Sequence, residues 1–220
     1  MRKFLRKLFK TIVVLTVLLV LSITAMGYLK YKQAVTNVPI TEKVALLREG
    51  ENYTTIDSIS TDFLESIVAI EDHRFYEHGA IDPIAVVRAT IVNTLQKEIA
   101  QGGSTLTQQV AKNMYFNHDQ NYTRKVAELF VAHQLEKLYT KDDILELYVN
   151  IIYYGDGNHG IKEASENYFG KAPSELTFDE ATLLAGLPQA PSAYALSTNY
   201  ERAKKRQVEV IEALETYRSQ

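Results

Sequence analysis

A glycine turn followed by a helix rich in amides and hydroxyls, QGGSTLTQQVAKN, occupies Gln101 to Asn113. The two glycines free the backbone for a turn, and Ser104 is placed to cap the helix that follows. Helical spacing puts five polar side chains on one face: Thr105, Gln108, Gln109, Lys112 and Asn113. Glu and Lys would keep a surface helix soluble more easily, so this face favours binding of a polar ligand. The alternative is a capped surface helix.

An acidic pair, Glu71 and Asp72, ends an apolar helix upstream of that turn. A carboxylate there faces the negative end of the helix dipole and lies beside a second acid, and both effects raise its pKa. Such a carboxylate exchanges protons near neutral pH, so Glu71 is a candidate general base or acid. An exposed acidic helix end is the alternative.

A third group of charged residues, Arg124, Lys125 and Glu128, lies on a later helix. Its two cations are suited to an anionic substrate, because arginine grips phosphate oxygens in pairs and lysine acts as a point charge. Arg124 and Glu128 are four residues apart, so an ordinary ion pair along the helix explains them equally well.

Five motifs occur in one order along the chain. They are EDxxFxxH from Glu71, GGSTxTQQxxKN from Gly102, RKxxExxxAxxLE from Arg124, KxxILExYxN from Lys141 and GIxxAxxxYFGK from Gly160. Together with the LPQAP segment before Tyr194, they resemble glycosyltransferase family 51, the peptidoglycan glycosyltransferases. One departure is that Gly79 directly follows His78.

The resemblance implies an enzyme that polymerises lipid II, an undecaprenyl-pyrophosphoryl disaccharide-pentapeptide, into β-1,4 glycan strands. Undecaprenyl pyrophosphate leaves, and no nucleotide cofactor takes part. By resemblance, Glu71 deprotonates the acceptor's 4-hydroxyl, and Glu128 assists at the donor's pyrophosphate, directly or through a divalent cation (Mg²⁺ or Mn²⁺). An α-linked donor that gives a β-linked product requires one in-line displacement, so Glu128 is not a nucleophile.

The same resemblance implies the substrate-binding residues. Three cations relieve the charge of the departing pyrophosphate: Lys112, Arg124 and Lys125. Polar side chains bind sugar and phosphate oxygens: Ser104, Thr105, Gln108, Gln109 and Asn113. Moenomycin, the family's phosphoglycolipid inhibitor, is expected to bind here. Four histidines show no helical metal-ligand spacing, and we interpret them as surface or structural residues: His73, His118, His133 and His159.

The N-terminal segment Thr11 to Leu29 contains no charged residue and approaches the about 20 residues that span a bilayer. Five basic residues precede it, which predicts a cytoplasmic N-terminus and an extracytoplasmic catalytic domain. A cleavable signal peptide is the alternative, but the apolar run is long and SITAMG lacks a clear small-x-small site. The chain has no cysteine, which excludes a disulfide framework and a lipoprotein anchor.

Charge separates the same two parts. Seven of the 24 basic residues lie in the first 32 positions, which hold no acidic residue, so 17 basic side chains face 27 acidic ones in the rest. This balance argues against nucleic acid as a partner. The partners expected are lipid II with the growing glycan, the bilayer, and penicillin-binding transpeptidases or other cell-wall machinery.

These observations predict an all-α protein with a cytoplasmic basic tail (1–10), a transmembrane anchor (11–29), a stalk (30–55) and a glycosyltransferase domain (56–220). The stalk is weakly patterned, and we expect a short strand there. Helical signals dominate afterwards, including capping pairs at Thr140 and Thr177 and a last helix that opens at Asn199. The resemblance adds a lysozyme-like fold of two lobes around a cleft, and a segment from Asn93 to Gln101 that gates the donor. The end of the chain at Gln220 indicates a monofunctional enzyme or a trimmed longer one.

Two other functions stay open. A lysozyme-like muramidase would also use a glutamate in a cleft, but hydrolysis leaves the amides and cations without a pyrophosphate to bind. A non-catalytic scaffold of the cell-wall machinery would tolerate loss of one of the two glutamates, and both are present.

Overall fold

A computed structural model describes residues 2–96, 102–116 and 121–220. Ten α-helices lie within these ranges: α1 (Arg2–Asn37), α2 (Ile40–Arg48), α3 (Thr61–Asp72), α4 (Pro83–Gln96), α5 (Leu106–Tyr115), α6 (Tyr122–Leu138), α7 (Lys141–Ile151), α8 (Ile161–Phe169), α9 (Phe178–Ala185) and α10 (Leu196–Arg218). Short 3-10 helices connect some of them. The described ranges contain no strand, only an isolated bridge between Tyr153 and His159. The all-α prediction is confirmed.

The first helix is long and apolar enough to cross a membrane. Its most apolar window has a mean hydropathy of 2.5 and is only 6% buried by protein. A long run of exposed apolar side chains, such as Leu15 and Leu18, is typical of a helix that a bilayer covers. The helix continues past the predicted end at Leu29 and stops at Asn37.

The strand expected between residues 30 and 55 is wrong. This segment holds the last turns of α1 and the whole of α2. The physical reason is the spacing of Ile40, Val44 and Leu47, which is helical and places them against the core. Arg48 then fastens α2 to α7 through Asp143, with 2.6 Å between Nη2 and Oδ1.

One hydrophobic core unites the helices that carry the candidate residues. In it α5 packs against α6 and α7, and α3 packs against α9 and α10. Phe63 of α3, Leu106 of α5 and Leu135 of α6 are completely buried there. The core thereby fixes the relative positions of three helices that are distant in sequence.

The helix starts agree with the sequence in two places and differ in two others. Thr140 and Thr177 form the expected capping boxes. The cap of α5 is Thr105 and not Ser104, because Thr105 is the last extended residue and its Oγ1 accepts the amide proton of Gln108 at 3.2 Å. The last helix begins at Leu196, and the expected start, Asn199, is a non-helical residue inside it.

Candidate active site

A cleft of about 640 Å³ opens between α3, α4, α5, α6 and α10. Its lining contains both glutamates singled out in the sequence, Glu71 and Glu128. Four further sequence-predicted cations and amides line it with them: Gln108, Gln109, Lys112 and Lys125. The fold therefore brings together two carboxylates that sequence spacing could not relate.

Glu71 occupies the last turn of α3 and is partly exposed to the cleft. Gln109 of α5 donates a hydrogen bond from Nε2 to its Oε2 at 2.8 Å. Burial raises the pKa of Glu71, and Asp72 adds to the rise, while Gln109, Arg206 and Lys112 oppose it. The raised pKa agrees with the prediction, but its main cause is burial, with the neighbouring acid a smaller contribution.

Asp72, the neighbour of Glu71, has a structural role. Its Oδ2 accepts the backbone amide of Leu106, the first residue of α5, at 2.9 Å. Its Oδ1 lies 2.7 Å from His78 Nε2. A carboxylate is favoured at a helix N-terminus, so Asp72 ties the end of α3 to the start of α5. This tie holds Glu71 within reach of Gln109.

Asp72, His78 and Asp82 lie close enough together to resemble a metal site. His78 Nδ1, however, lies 2.6 Å from the carbonyl oxygen of Gly79 while Nε2 faces Asp72, so both ring nitrogens meet acceptors. Two such acceptors favour a ring that donates from both nitrogens, the imidazolium, and this form has no nitrogen lone pair for a metal. Burial disfavours that charge, yet the hydrogen bonds outweigh it and the pKa of His78 is raised.

Glu128 is only 1% exposed and is paired with two cations. Its Oε1 accepts from Arg124 Nη1, and its Oε2 lies 3.3 Å from Lys125 Nζ. The ion pair considered from the sequence therefore exists. It is compatible with a role at the site, because a buried carboxylate needs such partners and Lys125 still lines the cleft.

Lys125 connects α6 to the segment that precedes α5. Its Nζ also donates to Ser104 Oγ at 2.8 Å, so the serine that does not cap α5 instead holds a cation. Burial lowers the pKa of Lys125, although Glu128 opposes that change. A partly desolvated ammonium of this kind interacts strongly with an arriving anion.

A divalent cation bound by protein side chains alone does not fit at Glu128. Hard cations require several oxygen ligands, and here both carboxylate oxygens already contact positive side chains. A metal at this position would also lie beside the charges of Arg124 and Lys125.

The polar face of α5 divides into two groups. Gln109 and Lys112 reach the cleft. Thr105 and Gln108 are buried and both donate to the carbonyl oxygen of Ala80, at 3.0 and 2.8 Å, so they position the preceding loop. Gln108 also lines the cleft, whereas Thr105 does not.

Asn113 lies outside the cleft lining. It is exposed, and its Nδ2 bonds back to the carbonyl oxygen of Gln109 at 3.0 Å. Substrate contacts by Thr105 and Asn113 stay predictions that these positions do not support.

Sequence reasoning missed Arg206. This residue of α10 is 8% exposed, lines the cleft, pairs with Glu209 through Nη1, and has no hydrogen-bond partner for Nε within the described part of the chain. Its signal was available, because Arg206, Val210 and Leu214 follow one another at four-residue spacing, and a cation on an apolar helix face is unusual.

The described histidines lie in different surroundings. His73 lines the cleft with Arg88 of α4, whose Nη1 lies 3.4 Å from its Nε2. Burial and the neighbouring guanidinium of Arg88 lower the pKa of His73, which disfavours its charged form. His133 and His159 are exposed, in agreement with a surface role, and His118 lies outside the described residues.

Comparison with known proteins places this cleft in a family. Residues 39–215 match the family model described as transglycosylase. The chain is 41% identical over 209 residues to a presumed transglycosylase of Cupriavidus necator, an alignment that covers 95% of this chain and 90% of that protein. Penicillin-binding protein 1A of Aquifex aeolicus is 44% identical over 162 residues, 74% of this chain. Penicillin-binding protein 1A of Escherichia coli is 41% identical over 157 residues, 71% of this chain.

The penicillin-binding proteins are far longer than the shared region. The alignments cover 22% of the Aquifex protein and 18% of the Escherichia coli protein. The family match, over residues 39–215, contains the helices that build the cleft and extends over more than half of the chain. The chain therefore belongs to the transglycosylase family, the peptidoglycan glycosyltransferases.

Proposed function

We propose that this cleft polymerises lipid II into β-1,4 glycan strands by one inverting displacement, with undecaprenyl pyrophosphate as the leaving group. The observation that carries the proposal is that one cleft contains both a candidate proton acceptor and several positive side chains. A carboxyl with a raised pKa, Glu71, shares the cavity with a group of cations that includes Lys112 and Lys125.

Glu71 is the proton acceptor in this proposal. Gln109 binds Oε2, and among the described residues no hydrogen bond to Oε1 is present, so we assign Oε1 to the 4-hydroxyl of the acceptor sugar. As the hydroxyl oxygen attacks the anomeric carbon, its proton moves to Glu71. The raised pKa strengthens the carboxylate as a base, and the bond from Gln109 fixes its orientation.

The cations act on the opposite side of the reacting carbon. Negative charge develops on the bridging oxygen of the pyrophosphate as the glycosidic bond breaks, and fixed positive groups stabilise it. Lys112 and Lys125 line the cleft for this purpose, and Glu128 holds Lys125 and Arg124 in place from behind. Glu128 is a positioning residue in this scheme.

We propose that a divalent cation, where it contributes, arrives with the pyrophosphate. Mg²⁺ commonly binds one carboxylate together with substrate phosphates and waters, which is the only arrangement Glu128 allows. Bound there, a cation would supply further charge neutralisation for the leaving group. The proton transfer to Glu71 does not depend on it.

Membrane topology and partners follow as proposals. The basic residues before the apolar span of α1 favour a cytoplasmic N-terminus, with the cleft outside the membrane.

On α4, three side chains at helical spacing are more than half exposed, Ile84, Val87 and Ile91, beside the cleft residue Arg88. An exposed apolar stripe next to a cation suits a lipid-linked pyrophosphate. The donor gate expected at Asn93 to Gln101 lies largely outside the described residues. Partnership with transpeptidases stays a proposal.

The test is incubation of detergent-solubilised protein with labelled lipid II, with glycan resolved by gel. Glu71→Gln keeps the shape of the side chain and removes the base, and Glu215→Gln is the matched control, because Glu215 is exposed on α10 away from the cleft. Long glycan from the wild type and Glu215→Gln, and none from Glu71→Gln, supports the proposal. Glycan from Glu71→Gln at the wild-type rate refutes the base. Release of reducing ends from purified cell wall would instead indicate a muramidase, and no reaction by any variant a scaffold.

A further inference from the structure

The outer turns of the membrane helix contact the catalytic domain directly. Among the described helices, α1 and α6 form the most extensive pair. Gly27 is buried in their interface, and a Cβ atom built on it would lie 2.5 Å from Val126 Cβ and 2.9 Å from the carbonyl oxygen of Thr123. Because real Cβ atoms do not approach so closely, any side chain at this position must push α1 and α6 apart.

Aromatic and polar contacts extend this interface toward the end of α1. Tyr28 and Tyr31 contact Phe130 of α6, with ring centroids 5.3 and 5.5 Å away. Tyr115, the last residue of α5, donates its hydroxyl to the carbonyl oxygen of Val38 at 2.8 Å. The last turns of α1 therefore contact α6, and Val38 directly after them contacts α5.

The two faces of α6 have different partners. Val126 and Phe130 contact α1, whereas Glu128 and Lys125 belong to the cleft. Val126 and Glu128 are two positions apart, about 200° around a helix, so they point in opposite directions. A displacement of α6 away from α1 is thus a displacement of Lys125 and Glu128 into the cleft.

We propose that residues 27–37 of α1, with the adjoining Val38, are a positioning element of the active site, and that Gly27 is a positioning residue for the cations on α6. This inference rests on the proposed function of those cations as the pyrophosphate site. Since α1 is one uninterrupted helix from the apolar span to this contact, the anchor sets the geometry of the cleft as well as the location of the enzyme.

The test compares Gly27→Leu with Met26→Leu. Met26 is adjacent, 56% exposed and off the interface, so its exchange is a control for a leucine introduced at a neighbouring position of the same helix. We expect Gly27→Leu to lower kcat for lipid II polymerisation about tenfold or more, because a misplacement near 1 Å can cost up to about a hundredfold. Met26→Leu should match the wild type.

A double-mutant cycle distinguishes positioning from general destabilisation. If Gly27 acts through the cations of α6, most of the loss from Gly27→Leu disappears in a Lys125→Ala background. Additive losses, or equal rates for Gly27→Leu and Met26→Leu, overturn the inference. Should Gly27→Leu fail to fold, Phe130→Ala removes the aromatic contact without adding atoms, and the same non-additivity is expected.

A binding measurement separates this inference from the proposed function. Affinity for undecaprenyl pyrophosphate requires no turnover, and it should fall in Gly27→Leu but not in Met26→Leu. A wild type that binds this lipid with that pattern but makes no glycan refutes the proposed function alone. A wild type that makes glycan while both variants bind and react normally refutes the positioning role alone.

Discussion

Removal of the amide that holds the base provides the sharpest test of the cleft chemistry. Gln109 donates to Glu71 Oε2 at 2.8 Å, and this bond favours the ionised carboxylate. In Gln109→Met a thioether of similar length replaces the donor, so the pKa of Glu71 must rise further. A hydrogen bond to a charged group is worth about 1.5–3 kcal/mol, and each 1.4 kcal/mol is a factor of ten in the ionisation equilibrium.

The cleft is open, so water recovers part of that loss. We therefore expect the acidic limb of kcat/KM for lipid II to move upward by about one pH unit, since this limb reports the base in the free enzyme. The assay is the initial rate of glycan formation across pH in one detergent, at constant ionic strength. Gln134→Met, on α6 outside the cleft lining, is the matched exchange and should leave the profile in place. An unchanged or downward-shifted limb in Gln109→Met would refute Glu71 as the base.

Three further perturbations test separate parts of the site. Lys112→Ala should weaken binding of undecaprenyl pyrophosphate or moenomycin about tenfold, as expected for one lost charge contact, and equal affinity would remove Lys112 from the phosphate site. Chelation of divalent cations should slow the wild type, whereas Glu128→Gln should be about a hundredfold slower and no longer respond to the chelator; an unchanged response would exclude Glu128 from the cation's site. His78→Asn should lower Tm by about 5 °C below pH 6.5, where the raised pKa of His78 keeps its charged contacts intact. That difference should shrink as pH rises through the folded-state pKa, because the imidazolium facing Asp72, Asp82 and Lys141 then loses its charge; a difference that is constant with pH would contradict the imidazolium.

Local patterns were sufficient to single out Glu71 and the polar face of α5 as candidates. Glu71 was predictable because a helix end beside a second acid can be recognised in sequence, and the raised pKa agrees. The dominance of burial in that pKa was not predictable, since the walls around Glu71 come from helices far along the chain. The different roles of the polar residues on α5 were not predictable either, because they also depend on residues far along the chain. Gln108 and Gln109 are neighbours of one type, and only the position of the Ala80 carbonyl decides that one is structural and the other reaches the base.

Residues contributed by distant elements were beyond sequence reasoning. Arg206 is presented by α10, and its importance depends on a long-range approach to Glu71. The stalk prediction failed for a related reason. Its polar residues concealed Ile40 and Val44, whose partners in the core are supplied by the later helices.

Helices that contribute residues to the cleft are also held by contacts outside the cleft. Asp72 ties the end of α3 to α5, and Gly27 brings α1 against α6. Neither residue lies in the cleft lining. Asp72 nevertheless sets the position of Glu71 relative to Gln109, and we propose that Gly27 sets the position of Lys125 and Glu128. Because packed helices move as rigid bodies, an exchange on a hidden face changes the distance between base and cations before it unfolds the chain. Kinetic effects of substitutions in this enzyme should therefore follow the contacts behind the helices as closely as the contacts with the substrate.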